Sequence, residues 1–390
     1  MKRPQCLLLT TLTLRGSIDT MFCDLADALR RLGVYTRAVV DVPQAPNVAL
    51  AHGLVGELRD YDGPRFIIDV NAKSRLTGQA ADGGAVFIHD AWNIPRVSIF
   101  ESNPIHNLSQ LEHRPRNLAI TVIDDAHRRV FETFAIAPRA IGFLPHAGPP
   151  PLAHILPMAE RPIDVLFIGN VKDVLSPDEW VAQLACLDAL KTAALHVIAR
   201  RWEPADDDTA TMLAGVLKED GIAAEPRRDL ALAATIELYV NNLKRRELLG
   251  ALRHHRVVVC GEVETRLSHV ETISVTGPQS FSSALQLMDN AKLVLNTMPF
   301  RSGAHERVFY GLSRGAAILS DYSRLLVEPA MAQAGIAFFP RDPAALDDAI
   351  AALLEAPLDE AVAEGRHWYG ERHTWDHRAA QLVDLVEPLF

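Results

Sequence analysis

The stretch LVLNTMPFRSGAHERVFYGLSRGAAILSD, residues 293–321, changes its hydrophobic period twice. LVLNT is a short unbroken apolar run closing on polar residues, the mark of a strand covered on both faces. RSGAHE is a turn. ERVFYGLSR repeats its apolar residues at helical spacing and stops at Gly315, and AAILSD returns to a β-like run. Strand, turn, helix and strand in so short a span read as a βαβ unit with its two strands parallel in one sheet.

The same rhythm extends in both directions. IDVLFIGN, ALHVIAR, RVVVCGE and TISVTG read as strands, with helices such as NNLKRRELLGALRHH and SFSSALQLMDNA among them; helix-like sequence then runs from PAALDDAIAALLEA to WDHRAAQLVDLVEPL. Toward the start, CLLLTTLTL, a helix closing at Gly33, YTRAVVDV, RFIIDV, AVFIHD, RVSIFE, LAITVID and AIGFLPH form a second alternating series. Between the two series, PHAGPPPLAHILPMAERP carries six prolines without periodicity. The expected architecture is α/β, with two doubly wound Rossmann-like domains facing across a cleft. Residues 1–150 form the first, 151–162 the linker and 163–370 the second, and a helix in 371–390 packs back toward the first. Ligands of such sheets bind at the carboxyl ends of the strands.

Composition narrows the function. A chain of 390 residues accommodates two domains, and its formal charge of -10, spread along the sequence, excludes a general electrostatic footprint for nucleic acid. Arginines therefore act locally. Cys6, Cys23, Cys186 and Cys260 show no CxxC spacing, which points to reduced thiols and a cytoplasmic protein. The basic start and short apolar run lack a small-x-small cleavage site and read as a first strand rather than a leader. No run reaches the roughly 20 apolar residues of a membrane span. GxGxxG does not follow the first strand, and GxxxxGK[ST] is absent, which argues against a nicotinamide enzyme and a P-loop kinase. His254, His255, Cys260 and His269 make no closed ligand set, so no metal is expected.

The chemistry concentrates in the opening stretch. Its helix starts at the sheet's carboxyl edge, where the amides of Ser302, Gly303, Ala304 and His305 and the positive end of the helix suit a phosphate. Arg301 and Arg307 supply neutralising charge. Glu306 and Tyr310, four apart, share a helical face; a carboxylate beside a phosphate repels it, so Glu306 suits neutral hydroxyls. The ordinary alternative is that Ser302 is a helix cap and Glu306 a first-turn acid favoured by the macrodipole. Gly169 and Asn170, which end IDVLFIGN, and Lys172 just after it lie at the same edge. On the other domain, Asp19 lies in the loop after the first strand and is the candidate general base, with its own alternative as a cap. His89, Asp90, Glu101 and His146 are further candidates for the acceptor side, each with a turn or bracing role as the alternative.

LVLNTMPFRSGAHERVFYGLSRGAAILSD, with PIDVLFIGN before it and HTWDHR after it, resembles the C-terminal nucleotide-sugar domain of GT-B glycosyltransferases, in particular the CgeB-like, group-1 type. The resemblance covers residues 160–380; the first half matches by architecture. It implies that Asn296 closes the strand near the nucleotide, that 302–305 cap the diphosphate, and that Glu306 with Arg307 lies beside the donor. Glu306 thus joins Asp19, taken from its own loop position, as a catalytic candidate. Gly277 resembles the turn that frames the base. Tyr310 and Ser302 stand where the family has glutamates, so the usual two-glutamate donor clamp is absent. The implied activity is metal-independent transfer of a hexose from a nucleotide diphosphate sugar, UDP-type, to a hydroxyl of a glycan, protein or small molecule, with no cofactor and with peripheral membrane contact open. The alternatives are a non-catalytic nucleotide-sugar or glycan-binding assembly protein and a nucleotide-sugar epimerase of the same fold.

Overall fold

The computed structural model describes residues 2–10, 17–40, 45–73, 76–79, 84–111, 116–203, 207–264, 271–327 and 335–390. The chain divides into two compact units, Met1–Pro150 with Arg372–Phe390, and Pro151–Glu371. In the first, β1 (Gln5–Leu9), α1 (Ser17–Arg31), β2 (Tyr35–Val39), α2 (Ala45–Asp60) and β3 (Arg65–Val70) open the sheet. A hairpin of β4 (Thr77–Gln79) and β5 (Ala85–Phe87) and the one-turn α3 (Ile88–Ala91) lead to β6 (Arg96–Phe100), β7 (Leu118–Val122), α4 (Arg128–Thr133) and β8 (Ala140–Phe143).

The first sheet is parallel, in the order β2-β1-β3-β6-β7-β8, with Leu7 opposite Ile67, Asp69 opposite Ser98, and Thr121 opposite Gly142. Every residue of β6 and β7 is buried, as expected of strands with helices on both faces. The chain's last long helix, α13 (Trp375–Val386), belongs to this unit. It is tied in by Arg378, whose buried guanidinium donates from Nε to Pro145 O at 2.8 Å and meets His373 Nδ1 at 2.8 Å, while Thr374 bridges Gly148.

The second unit runs β9 (Ile163–Ile168), α5 (Pro177–Ala182), α6 (Asp188–Ala199), α7 (Thr209–Glu219), α8 (Pro226–Ala251), β10 (Val257–Cys260), β11 (Ile273–Val275), α9 (Phe281–Asp289), β12 (Ala291–Asn296), α10 (Glu306–Ser313), β13 (Ala317–Ser320), β14 (Ile336–Phe338), α11 (Leu346–Glu355) and α12 (Leu358–Arg372). Strand order is β11-β10-β9-β12-β13-β14, all parallel, with Val165 between Val257 and Leu293. Val165, Phe167, Leu293, Leu295, Ala317 and Leu319 build one face of the core against Leu248, Leu249 and Ile350.

Two strand readings differ from the structure. ALHVIAR is the end of α6, not a strand: Leu190, Ala193, Ala194, Val197 and Ile198 recur at helical spacing and pack with Leu213, Leu217 and Ile236 in a separate helical core. A short apolar run is ambiguous until its neighbours on the buried stripe are counted. AVFIHD likewise splits, its first residues pairing only in the β4–β5 hairpin and its last entering α3.

Strand order locates the place where a ligand would enter each unit. In the second, β10 and β11 extend from β9 in one direction and β13 and β14 from β12 in the other, so the direction of winding reverses between β9 and β12 while the strands stay parallel. In doubly wound sheets the ligand crevice lies outside the carboxyl ends of the two strands that flank such a reversal. In the first unit the corresponding reversal lies between β1 and β3.

Candidate active site

At the β9–β12 reversal, Gly169 follows β9 with φ 154, a conformation that favours glycine, and its amide donates to Cys260 O at 3.0 Å. Gly261 must also be glycine, because a Cβ there would stand 2.1 Å from Gly169 O. The ends of β9 and β10 thus meet backbone to backbone. Asn170 secures the meeting by accepting the Glu262 amide on Oδ1 at 3.1 Å. Lys172, two residues on, is exposed. Across the reversal, Asn296 ends β12 fully buried; its Nδ2 donates to Ser320 Oγ at 2.9 Å, while Oδ1 has no hydrogen-bond partner among the described residues.

The helix after β12 starts later than its sequence suggests. His305, not Ser302, is the N-cap of α10, with no side-chain capping bond. The turn before it is closed: Arg301 and Ser302 are buried, Gly303 O accepts Ser323 Oγ at 2.5 Å, and Arg301 O accepts the Arg324 amide at 2.8 Å. Among the described residues, the backbone amides of Gly303, Ala304 and Arg307 donate to no protein acceptor. The side chains that reach partial exposure at this end are His305 and Glu306.

Arg307 points inward. Its Nη1 donates to Ile168 O at 2.7 Å and its Nη2 lies 3.0 Å from His305 Nε2, so it stitches the end of β9 to the start of α10. A guanidinium can only donate, so Nε2 accepts, and a neutral His305 carries its proton on Nδ1, facing the Glu306 carboxylate against it. Arg307, His305 and Glu306 thereby form one chain that sets the direction of the carboxylate.

Arg245 of α8 escaped the sequence reading, although it stands at this edge. Nε donates to Thr297 Oγ1 at 3.1 Å and Nη1 to Asn170 O at 3.3 Å, joining the connections after β9 and β12; Nη2 has no partner among the described residues. Burial pulls its pKa down to about 10, with the Arg307 charge adding to the effect, yet it stays cationic at neutral pH. The signal that would have found it is the cation pair Lys244-Arg245 in NNLKRRELLG, which reads by itself as a solvated helix face. Lys244, Arg245, Arg301 and Arg307 stand here against Glu306 and Asp321, and Glu247, which also acts on Lys244, is already paired with Arg201. A surplus of partly desolvated positive charge favours a bound anion.

Other expected residues fall elsewhere. Tyr310 is 1 % exposed, its ring edge-on to Phe281 at 5.1 Å, so the surroundings are those of a packing residue. Gly277 forms a left-handed turn (φ 70) between β11 and α9, beside Thr276, whose carbonyl accepts Gln279 Nε2 at 2.8 Å. His89 and Asp90 do not stand at the carboxyl edge of the first sheet. Asp90 accepts the amides of Arg116 and Asn117 at 3.0 and 3.1 Å, just before β7 begins, and so marks the amino edge; His89 is buried beside it, its pKa pushed to about 3 by burial and then by Arg96. The displacement follows from the hairpin that replaced the expected strand. Glu101, just past β6, does lie at the carboxyl edge, its amide donating at 3.0 Å to Oδ1 of Asn71, itself left-handed (φ 50) after β3. His146 is buried after β8, its carbonyl facing Arg378 at 3.4 Å. Asp19 is in the first turn of α1, but its side chain and the loop 11–16 lie outside the described residues. His254 and His255, weighed as metal ligands, both lie against Asp347, and His269 is outside the described residues. Among the described residues no group of three or more His, Cys, Asp or Glu is placed to hold a metal.

Residues 244–384, from α8 to α13, match the family described as glycosyl transferase-like. No curated protein matches the chain. Solved structures of similar fold include Anabaena Alr3699/HepE in complex with UDP and glucose, at 12% identity and TM-score 0.53 over 98% of this chain and 99% of that one. An alpha-glucosyltransferase in complex with UDP is 10% identical with TM-score 0.53 over 98% and 99%. Sucrose-phosphate synthase from Thermosynechococcus elongatus is 12% identical with TM-score 0.50 over 100% and 99%. Likeness at such identity is one of fold. With two doubly wound α/β units, this chain has the GT-B fold of glycosyltransferases, and it carries a glycosyl transferase-like domain over residues 244–384.

Proposed function

We propose that the protein is a glycosyltransferase that moves a hexosyl group from a nucleotide diphosphate sugar to an acceptor hydroxyl. The observation that carries this reading is the surplus of cations at the β9–β12 reversal, where Arg245 presents an unpartnered Nη2 beside the amino end of α10. As the anomeric bond breaks, negative charge grows on the diphosphate. Donors already aimed at that position stabilise it without reorganisation. The guanidinium and the amides before and within the first turn of α10 supply this stabilisation, which makes a metal dispensable. Glu306, oriented by His305 and Arg307, accepts from a hydroxyl of the donor. Asp19 is proposed as the base that takes the acceptor proton, and Glu101 as an acceptor contact. The solved structures of similar fold that hold UDP favour uridine as the base. Among the described residues no helix is long and apolar enough to cross a membrane, which is compatible with a cytoplasmic enzyme that meets its acceptor in solution or at a membrane surface.

Purified protein should gain thermal stability with UDP and release UDP from a UDP-hexose when a suitable acceptor is present. A protein that showed neither stabilisation by any nucleoside diphosphate nor turnover of any nucleotide sugar would sink the reading. A second reading, a binding protein without turnover, draws on position 310, where a buried tyrosine leaves Glu306 as the carboxylate of the helix. It predicts stabilisation by UDP with no release from any donor. Interconversion of the nucleotide sugar without acceptor would instead indicate an epimerase.

A further inference from the structure

We infer that Lys244 and Asp321 are a positioning pair: the buried ammonium directs the Asp321 carboxylate onto the turn between β12 and α10 and so sets the anion-binding edge. The inference rests on the proposed donor reading of that edge. Lys244 is 5 % exposed and Asp321 4 %, and Nζ meets Oδ1 directly. The second carboxylate oxygen accepts the Met298 amide at 3.0 Å, and the Asp321 amide donates to Asn296 O at 3.1 Å. The next residue on α8, Arg245, holds Thr297 Oγ1. Consecutive residues of one helix therefore control consecutive residues of the turn, Lys244 through Asp321 and Arg245 directly. Lys244 is held in place from its far side, since Nζ lies 4.6 Å from the Trp202 ring centroid and the indole N–H donates to Glu247 Oε2 at 2.9 Å, one turn along α8.

Stability alone does not account for such a pair. Two ions withdrawn from water recover little more than their desolvation cost, and a well-packed apolar substitute is often as stable. What an apolar pair cannot do is fix a carboxylate on one particular amide. The pair lies behind Thr297 and Met298 and no contact with a ligand is assigned to it, so it acts through the turn and Arg245.

The test is a double-mutant cycle with Lys244→Met, Asp321→Asn and both, read by UDP calorimetry, by donor KM and kcat, and by hydrogen exchange of the segment 293–306. Each single variant should weaken UDP at least tenfold and raise donor KM more than it lowers kcat. Exchange in 293–306 should quicken, and the double variant should be no worse than the poorer single one. Folded variants with wild-type UDP affinity and wild-type exchange would overturn the inference, as would purely additive losses. Should Lys244→Met not fold, Trp202→Leu decides: a threefold or greater loss of UDP affinity supports the pair, and an unchanged affinity overturns it. If the wild-type protein binds no UDP, the donor reading fails, and the pair is judged by exchange in 293–306 alone, where unchanged protection in the variants overturns it.

Discussion

Arg245 is the side chain on which most of the proposed chemistry depends. Replacing it with alanine removes a cation from a partly dry site and two hydrogen bonds that join the connections after β9 and β12. The expected result is a loss of UDP affinity of about 2–3 kcal/mol, the usual worth of a charge-assisted contact, measurable by calorimetry. Lys172→Ala, on an exposed lysine, should change affinity far less. Gly261→Ala tests the meeting of β9 and β10. The new methyl would collide with the Gly169 carbonyl rather than with a flexible side chain, so a loss of about 2–3 kcal/mol in chemical denaturation is expected. The contrast between Arg245 and the arginines of the opening stretch is instructive. Arg307 looked like a phosphate ligand from its place in the first turn, but its guanidinium is committed to Ile168 O and His305, because burial leaves no room for an unpaired charge.

At the scale of the element, α10 shows how a short helix is specified from outside itself. Its start has no capping side chain, and its order comes from Ser323 on Gly303 O, from Arg307 on Ile168 O, and from the burial of Val308, Phe309, Tyr310 and Leu312. Tyr310 belongs to that buried stripe. A glutamate there should not restore a donor clamp: an unpaired carboxylate against Phe281 should cost about 3 kcal/mol or more, while Tyr310→Phe should stay within about 1 kcal/mol of wild type in urea denaturation. If Tyr310→Glu instead proved as stable as wild type and bound UDP more tightly, the packing role would be wrong. Existence and type of the long periodic elements were legible from the stretch 293–321 outward, since parallel buried strands and amphipathic helices differ in period. ALHVIAR was not legible in this way. Its apolar residues serve a helical core shared with α7 and α8, partners distant enough in sequence that no local window displays them.

Across the molecule, acid should loosen the first unit before the second. His89 and His373, both in the first unit, are buried and held neutral, with pKa values pushed to about 3 by burial and then by neighbouring arginines. Since folding depresses these pKa values, the stability they contribute is complete above about 6.5, the value of an unfolded histidine, and is lost as pH falls from there toward 3. In the second unit Asp164 is depressed to about 2, because the bonds from Arg256 and Lys292 outweigh the desolvation that opposes them, and its contribution is lost only as pH falls from about 4 toward 2. Hydrogen exchange followed from pH 7 to pH 4 should show the first unit losing protection first, and His89→Gln should flatten that response; loss of protection in the second unit first would contradict the account. By itself the sequence determined the α/β class, the two alternating series and the stretch that opens α10, because hydrophobic period and turn chemistry are local properties of the chain. Tertiary structure alone decided that Arg245 meets Thr297 and Asn170, that Arg307 and Tyr310 turn inward, and that His89 and Asp90 stand at the amino edge of their sheet. Strand order brings together residues that the α5–α7 helices separate by scores of positions, and burial then determines which of the local candidates keeps a polar group free for a ligand.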